Sequence, residues 1–271
     1  MMTPLTLDEA VRIAPSIASE TSHPDVSPKF RHISTKSVLE RFVSDGWLIR
    51  EVKETKARIG ENRPYAEHLV RMFHPSSVPQ RVVGELIPEV VLRNSHNGLH
   101  SYSLMAGIFR LVCSNGMVVP ESMMASVRIR HSGSAIAELL DQAYEATKGI
   151  VDVIPAIDGM KVLDLDEYER TQFANKAIAI RYGEDPEDRP KNVPDPASIL
   201  VPRRSADAGS SLWCTLNTVQ EYLLKGGEYS DGPFVWKKIK GIKAVSEDIR
   251  VNQALWEEAN QILKAHSVAA V

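Results

Sequence analysis

The chain has 271 residues, with a formal net charge of −3 and ordinary apolar and charged fractions. That length gives one large domain or two small ones with a substantial core, and the slight acidity argues against coating nucleic acid by bulk charge while leaving room for a local basic groove. Cys113 and Cys214 are the only cysteines, too few and too far apart for a disulfide scaffold or zinc module, so a reduced, cytoplasmic setting is expected. The N-terminal stretch MMTPLTLDEAVRIAPSI carries acidic residues and lacks a long apolar run. It does not read as a signal peptide, and no apolar run nears the ~20 residues that span a bilayer.

Thr6 followed by Glu9 predicts a capping box and a short helix. Residues 18–28 are polar, with two prolines, and read as a loop. Thr35–Asp45 is expected as a helix with Val38, Leu39, Phe42 and Val43 on one face and Gly46 as its stop. Strand patterns follow at Trp47–Lys56, Glu67–Phe73, Leu86–Arg93 and Leu99–Met105, the last two forming a hairpin around Ser95–Gly98. A further turn is expected at Asn115-Gly116 between Arg110–Cys113 and Met117–Val119, although Ala106–Cys113 also reads as the start of a helical turn. Val127–His131 is a short strand that would put Arg128 and Arg130 on one face.

The second half is patterned for helices. Ser134–Ile154 and Leu165–Tyr182 have helical spacing, the latter with Tyr168, Phe173, Ala177 and Ile180 as its apolar stripe and Gly183 as its stop. Residues 184–196 are charged and proline-rich and read as a linker. Ser211–Lys225 is a helix ended by Gly226-Gly227. Glu228–Val245 reads as a loop, and Ser246–Lys264 as the last helix. Strands first and helices after, without βαβ alternation, predict an α+β fold. An antiparallel β-meander in the first half would pack against helices of the second. The expected domains are an α+β core over residues 1–183 and a helical C-terminal part over 197–271, packed on that core, with 184–196 between them.

Chemistry-bearing residues are sparse. His96 and His100 flank a turn without a nearby carboxylate or cysteine to complete a metal site, which favours turn polarity. Cys113 follows Leu111-Val112 and reads as core rather than as an activated thiolate. Asp164, Asp166, Glu167 and Glu169 sit at a helix start and suit capping. The basic residues are more pointed. Arg128 and Arg130 share a strand, Arg203 and Arg204 follow a proline, and Lys237, Lys238, Lys240 and Lys243 cluster around Phe234 and Trp236. The segment PFVWKKIKGIK mixes cations for phosphates with rings for base stacking, the combination that single-stranded nucleic acid needs. Arg203, Arg204, Lys237, Lys238, Lys240 and Lys243 are expected to converge on one groove edged by Trp236, and Arg128 and Arg130 to face solvent on one side of the sheet.

The segments Leu92–Val119 and Leu200–Gly227 resemble the YafZ/YfjQ-like family of phage- and plasmid-borne proteins, classed as a domain of unknown function. The carrying elements are NSH-x-G, R-x-V-C-x-N-G, and a tryptophan before a helix ending in K-G-G, and the likeness covers nearly the whole chain. The resemblance implies a mobile-element context and no established activity. Helix, β-meander, then long helix is also similar, at the level of fold alone, to the ring-forming single-strand annealing proteins of phages. The expectation is therefore a non-enzymatic, oligomeric, single-stranded DNA-binding protein of recombination or repair, with no cofactor and no metal. The alternative is an anti-defence factor whose acidity suits a basic cleft on a bacterial nuclease or restriction protein. A third reading is a hydrolase or nuclease whose site is scattered in sequence.

Overall fold

The computed structural model describes residues 3–75, 86–100, 102–110, 116–118, 127–129, 141, 153–230 and 235–269. The chain divides into two compact units: Met1–Leu111 with Glu121–Val151 and Lys243–Val245, and Val112–Pro120 with Asp152–Ile242 and Ser246–Val271. Residues 184–196 therefore lie inside the second unit. Among the described residues no helix is long and apolar enough to cross a membrane. The fold is α+β, with the antiparallel sheet in the first half and helices dominating the second.

In the first unit, α1 (Leu7–Ile13) opens on the expected box: Thr6 accepts from the Glu9 N–H and the Glu9 side chain accepts from the Thr6 N–H. Helix α2 (Thr35–Ser44) buries Val38, Leu39 and Phe42, while Val43 is exposed rather than sharing their face. Gly46 follows with φ of 93°, in the left-handed region that a glycine tolerates. Four strands then pair in sequence order, each antiparallel to the last: β1 (Leu48–Glu54), β2 (His68–Phe73), β3 (Leu86–Asn94) and β4 (Tyr102–Arg110). Strand pairing continues through Arg110, so the helical alternative at Ala106–Cys113 is wrong over the described part. Gly98, at φ of 74°, sits in the β3–β4 connection as its Asn-Gly step requires. β5 (Gly116–Val118) and β6 (Val127–Ile129) are three-residue strands, and β6 pairs with β4. Cys113, Asn115, Arg130, His131 and nearly all of the Ser134–Ile154 helix lie outside the described residues.

The alternation of this sheet gives it two buried faces of different chemistry. Val52, Val70, Met72, Val90, Leu92, Tyr102 and Leu104 join the apolar faces of α1 and α2 in one core. The helices covering this face thus come from the N-terminus. The opposite face carries charge. Glu89 is completely buried, with one carboxylate oxygen 2.8 Å from Arg50 Nε and the other 2.5 Å from Arg71 Nη1. Glu51 balances the second guanidinium, 3.0 Å from Arg50 Nη1 and 3.7 Å from Arg71 Nε. Two arginines and two glutamates leave no net charge, the condition under which such a group survives out of water.

At the end of the apolar face, His68 is enclosed. Its Nδ1 lies 3.1 Å from the Ala66 carbonyl, which only accepts, so Nδ1 carries the proton. Nε2 then accepts from the Thr35 hydroxyl at 2.9 Å, and Thr35 Oγ1 accepts from Asn94 Nδ2 at 3.0 Å. Complete burial, only partly offset by the Ala66 carbonyl and the nearby Glu54 and Glu67, lowers its pKa to about 4. His32 is also lowered, chiefly by burial, as is His100, where Glu67 and Arg93 act in opposite directions.

The second unit holds α3 (Ile154–Val162), α4 (Glu167–Tyr182), the short α5 (Pro196–Ile199), α6 (Leu212–Lys225), β7 (Gly226–Ser230), β8 (Trp236–Lys240) and α7 (Val245–Ala269), the first residue of which belongs to the first unit. Helix α3 was not expected. Pro155 occupies its first turn, where the missing N–H has no cost. Gly159 faces Leu263, leaving room for only a bare backbone between α3 and α7. In α4 the Asp166–Glu169 capping box forms, but Tyr168 is exposed, and the buried stripe is Phe173, Ala174, Ala177 and Ile178. The expected loop Glu228–Val245 is largely a second antiparallel hairpin, β7–β8.

Two outcomes test this unit-one account. Protonation of His68 is favoured in the unfolded chain over the folded one, so stability should be greatest above pH 6.5 and fall as pH drops toward 4, by on the order of 3 kcal/mol. Urea midpoints at pH 7 and pH 4.5 measure this; an unchanged or higher midpoint at the acid value would overturn it. Glu89→Ala strands two buried guanidiniums and should cost about 3–5 kcal/mol of unfolding free energy, whereas surface Glu61→Ala should cost little.

Candidate nucleic-acid interface

Helix α6 is buried along nearly its whole length. Ser211 caps its start by accepting from the Cys214 N–H at 3.2 Å. Its C-terminus carries carbonyls with no partner inside the helix, and here they draw cations and one amide. Arg181 donates to the Leu223 carbonyl and, through its other terminal nitrogen, to the Lys240 carbonyl. The Ile242 N–H donates to the Leu224 carbonyl at 2.8 Å. Arg203 donates to the Gly226 carbonyl at 2.7 Å while its guanidinium lies 3.6 Å over the Tyr222 ring. Arg204 pairs with Glu221 through two nitrogens, at 3.1 and 2.7 Å. The arginine pairing holds the Glu221 carboxyl below its ordinary range despite burial, with Lys225 and Arg203 adding to the effect.

No loop separates α6 from β7. Gly226 makes the reversal at φ of 73°, and a Cβ there would lie 2.4 Å from the Ile239 carbonyl oxygen. Gly227 is filled from outside: its missing side chain leaves the space that the Arg203 guanidinium occupies. β7 and β8 pair as Gly226↔Lys240, Gly227↔Ile239, Glu228↔Lys238, Tyr229↔Lys237 and Ser230↔Trp236. Directly paired residues share a face. Tyr229 and Ile239 are buried, so their face looks inward, with Lys237 half-buried among them. The other face presents Trp236, Lys238, Lys240 and Glu228, all exposed.

Trp47, Trp213 and Trp256 are buried, whereas Trp236 is 69% exposed. A tryptophan ring left in water beside two lysines gives up the large burial energy that aromatic rings supply. The expected convergence is therefore partial. Trp236, Lys238 and Lys240 form one outward row. Arg203 reaches the same hairpin from its inward side and Arg204 is tied to Glu221, so both serve the fold. Lys243 is exposed and belongs to the first unit, as does Arg128, on β6 opposite Ser103. Arg130 and Phe234 lie outside the described residues. Glu228 joins this face only through the hairpin, which a loop over Glu228–Val245 does not provide. The alternation through Trp236, Lys238 and Lys240 was the available signal.

The histidines singled out by sequence form contacts rather than a metal centre. His96 is buried and stacks on His32 with centroids 4.6 Å apart and 28° between planes. Rings stacked this way send their nitrogen lone pairs along nearly parallel planes, not to a common point. His100 lies 3.4 Å from Glu67, which Arg93 also binds. Among the described residues no group of three His, Cys, Asp or Glu side chains could hold a metal.

The model of a domain of unknown function, DUF932, matches residues 22–256. The chain belongs to the DUF932 family. UPF0380 protein YafZ of Escherichia coli (strain K12) is 32% identical over 262 residues, which cover 96% of this chain and 92% of that protein. UPF0380 protein YfjQ of the same organism is 32% identical over 264 residues, with the same coverage of each. No solved structure matches. The family match spans the hairpin, the cations around it and the charged sheet of the first unit.

Gly226→Ala should lower the thermal midpoint, because the added Cβ meets a backbone carbonyl in a left-handed conformation and should cost more than about 1 kcal/mol. Gly60→Ala, whose Cβ would meet nothing within 4 Å, is the comparison. Equal midpoints for the two variants would refute the junction described.

Proposed function

We propose that this DUF932 protein is a cytoplasmic, non-enzymatic binder of single-stranded DNA, acting in recombination or repair of a phage- or plasmid-derived element and working as an oligomer. The observation that carries the reading is the outward row Trp236–Lys238–Lys240 on β8. Alternate strand residues stand about 6.8 Å apart. Flexible lysine stems at that separation can each reach a different phosphate of one extended strand. The exposed ring offers a base a stacking partner, a contact that tolerates sequence because every base has a π-face.

Two features of the first unit weigh against a scattered hydrolase site there. The hydroxyls at His68 are enclosed with it: Ser16 and Thr35 are completely buried. The Glu89 carboxylate is held by two arginines rather than facing a cleft.

Titration of a labelled single-stranded oligonucleotide across a salt series tests the reading. Binding should weaken steeply with salt, and Lys238→Ala and Lys240→Ala should each reduce the logarithmic salt slope by about 0.7. Trp236→Ala should cost roughly 1–3 kcal/mol of binding. Absence of salt-dependent binding, or a Trp236→Ala variant that binds as the parent does, would refute the proposal and favour a protein-directed anti-defence role.

A further inference from the structure

The outward face of the β7–β8 hairpin is not uniformly basic. Glu228 sits opposite Lys238 in register, both side chains are exposed, and antiparallel partners project to the same side. Among the described residues neither side chain is engaged in an ion pair or hydrogen bond. The flanking positions differ: Lys240 faces Gly226, which has no side chain, and Trp236 faces Ser230. A polyanion crossing this face meets cations along β8 and one carboxylate midway along β7.

We propose, resting on the single-strand reading above, that Glu228 is the residue that sets selectivity for single over double strands at this face. A phosphate about 4 Å from a carboxylate is repelled by roughly 1 kcal/mol even in water. A duplex presents phosphates from both strands at a fixed spacing, one charge per ~1.7 Å of axis, and its bases keep their pairing edges occupied. A duplex laid along Lys238 and Lys240 holds its phosphates at fixed positions and cannot turn them away from Glu228. A single strand turns freely about its backbone bonds. It can keep its phosphates on the β8 side, stack one base on Trp236, and turn the exposed pairing edge of another toward β7. Guanine, cytosine, adenine and thymine all carry N–H donors on that edge, and a carboxylate accepts from such donors. The same carboxylate is thus a repulsive element against one ligand and a tolerated or attractive one for the other, which is how specificity is built from a difference of affinities.

The test compares Glu228→Gln with the parent protein on a labelled 20-mer strand and on the duplex made from it, at one salt concentration. Glu61→Gln in the first unit makes the same charge change at another exposed residue. Glu228→Gln should raise duplex affinity about fivefold and leave single-strand affinity within about twofold, so that the ratio of the two dissociation constants falls; Glu61→Gln should leave that ratio unchanged. Glu228→Lys should lower the ratio further, and matching thermal midpoints establish that each variant is folded. An equal rise for both ligands makes Glu228 a general electrostatic brake and overturns the inference, while the single-strand reading stands. A sequence-dependent loss of duplex affinity in Glu228→Gln would mean that the hairpin enters the major groove as a ribbon, and also overturns it. If the parent protein binds no single strand at all, the reading of the site falls, and the inference with it.

Discussion

The C-terminus of α6 is the point on which the second unit's outward hairpin depends. A helix end leaves carbonyls without partners, and this one is buried on almost every side. Three groups from different segments meet that demand: Arg181 from α4, Arg203 from the stretch after α5, and the Ile242 N–H just beyond β8. Each of them also fixes the hairpin. Arg181 reaches on to the Lys240 carbonyl, Arg203 fills the space beside Gly227, and a Cβ on Gly241 would lie 2.6 Å from the Lys225 carbonyl oxygen. The base of the hairpin is therefore packed backbone against backbone, while Trp236 stands exposed at the far end of β8.

That arrangement divides the cations by chemistry. Arginine has a planar, multi-donor head that satisfies carbonyls and carboxylates in fixed geometry, whereas lysine is a hydrated point charge on a flexible stem. Arg181, Arg203 and Arg204 are used in the first way. Lys238 and Lys240 remain in water on the outward face. The first unit uses its charges as structure too: Arg50 and Arg71 enclose Glu89 on one face of the sheet, and His68 closes a chain of hydroxyls and an amide at the end of the other. Burial without net charge and saturation of both ring nitrogens are the marks of groups that hold a fold.

The sequence was most legible where side-chain pattern and backbone chemistry agreed. The capping box at Thr6, the capping role of the acidic residues around Asp166, the glycine stops at Gly46 and Gly183, and the four long strands could all be read because each has a short-range cause. Three failures have a common origin in tertiary context. Residues 155–162 carry no predicted element, yet they form most of α3, with Pro155 in its first turn. Tyr168 follows the apolar spacing of α4 yet lies outside: Phe173 and Ala177 of the expected stripe are buried, but their buried companions are Ala174 and Ile178 rather than Tyr168 and Ile180. The second hairpin was hidden because the glycine pair that ends α6 also begins β7, and a turn signal gives no information about how soon the next strand starts. Of the candidate site, the tryptophan and lysines were visible as composition, but which cations faced outward depended on register. A shift of one residue exchanges Lys237 for Lys238 on the exposed face.

Register also makes an acidic chain compatible with the anionic ligand proposed above. The formal net charge of −3 belongs to the whole sequence, but at physiological ionic strength exposed charges are screened over about 8 Å. A phosphate over Lys238 or Lys240 therefore responds to the residues within that radius, principally its neighbours on β7 and β8, and very little to acidic side chains farther away. The same screening removes long-range attraction, so a face of this kind gains little in association rate and must hold its ligand through close contacts. Under that condition a single carboxylate among few cations carries unusual weight: it is a large fraction of the local charge. The pairing Glu228↔Lys238 puts it where its sign acts on the ligand's path. A basic patch of a dozen lysines would make such a residue negligible; beside the two outward lysines of β8, the proposed selectivity rests on it.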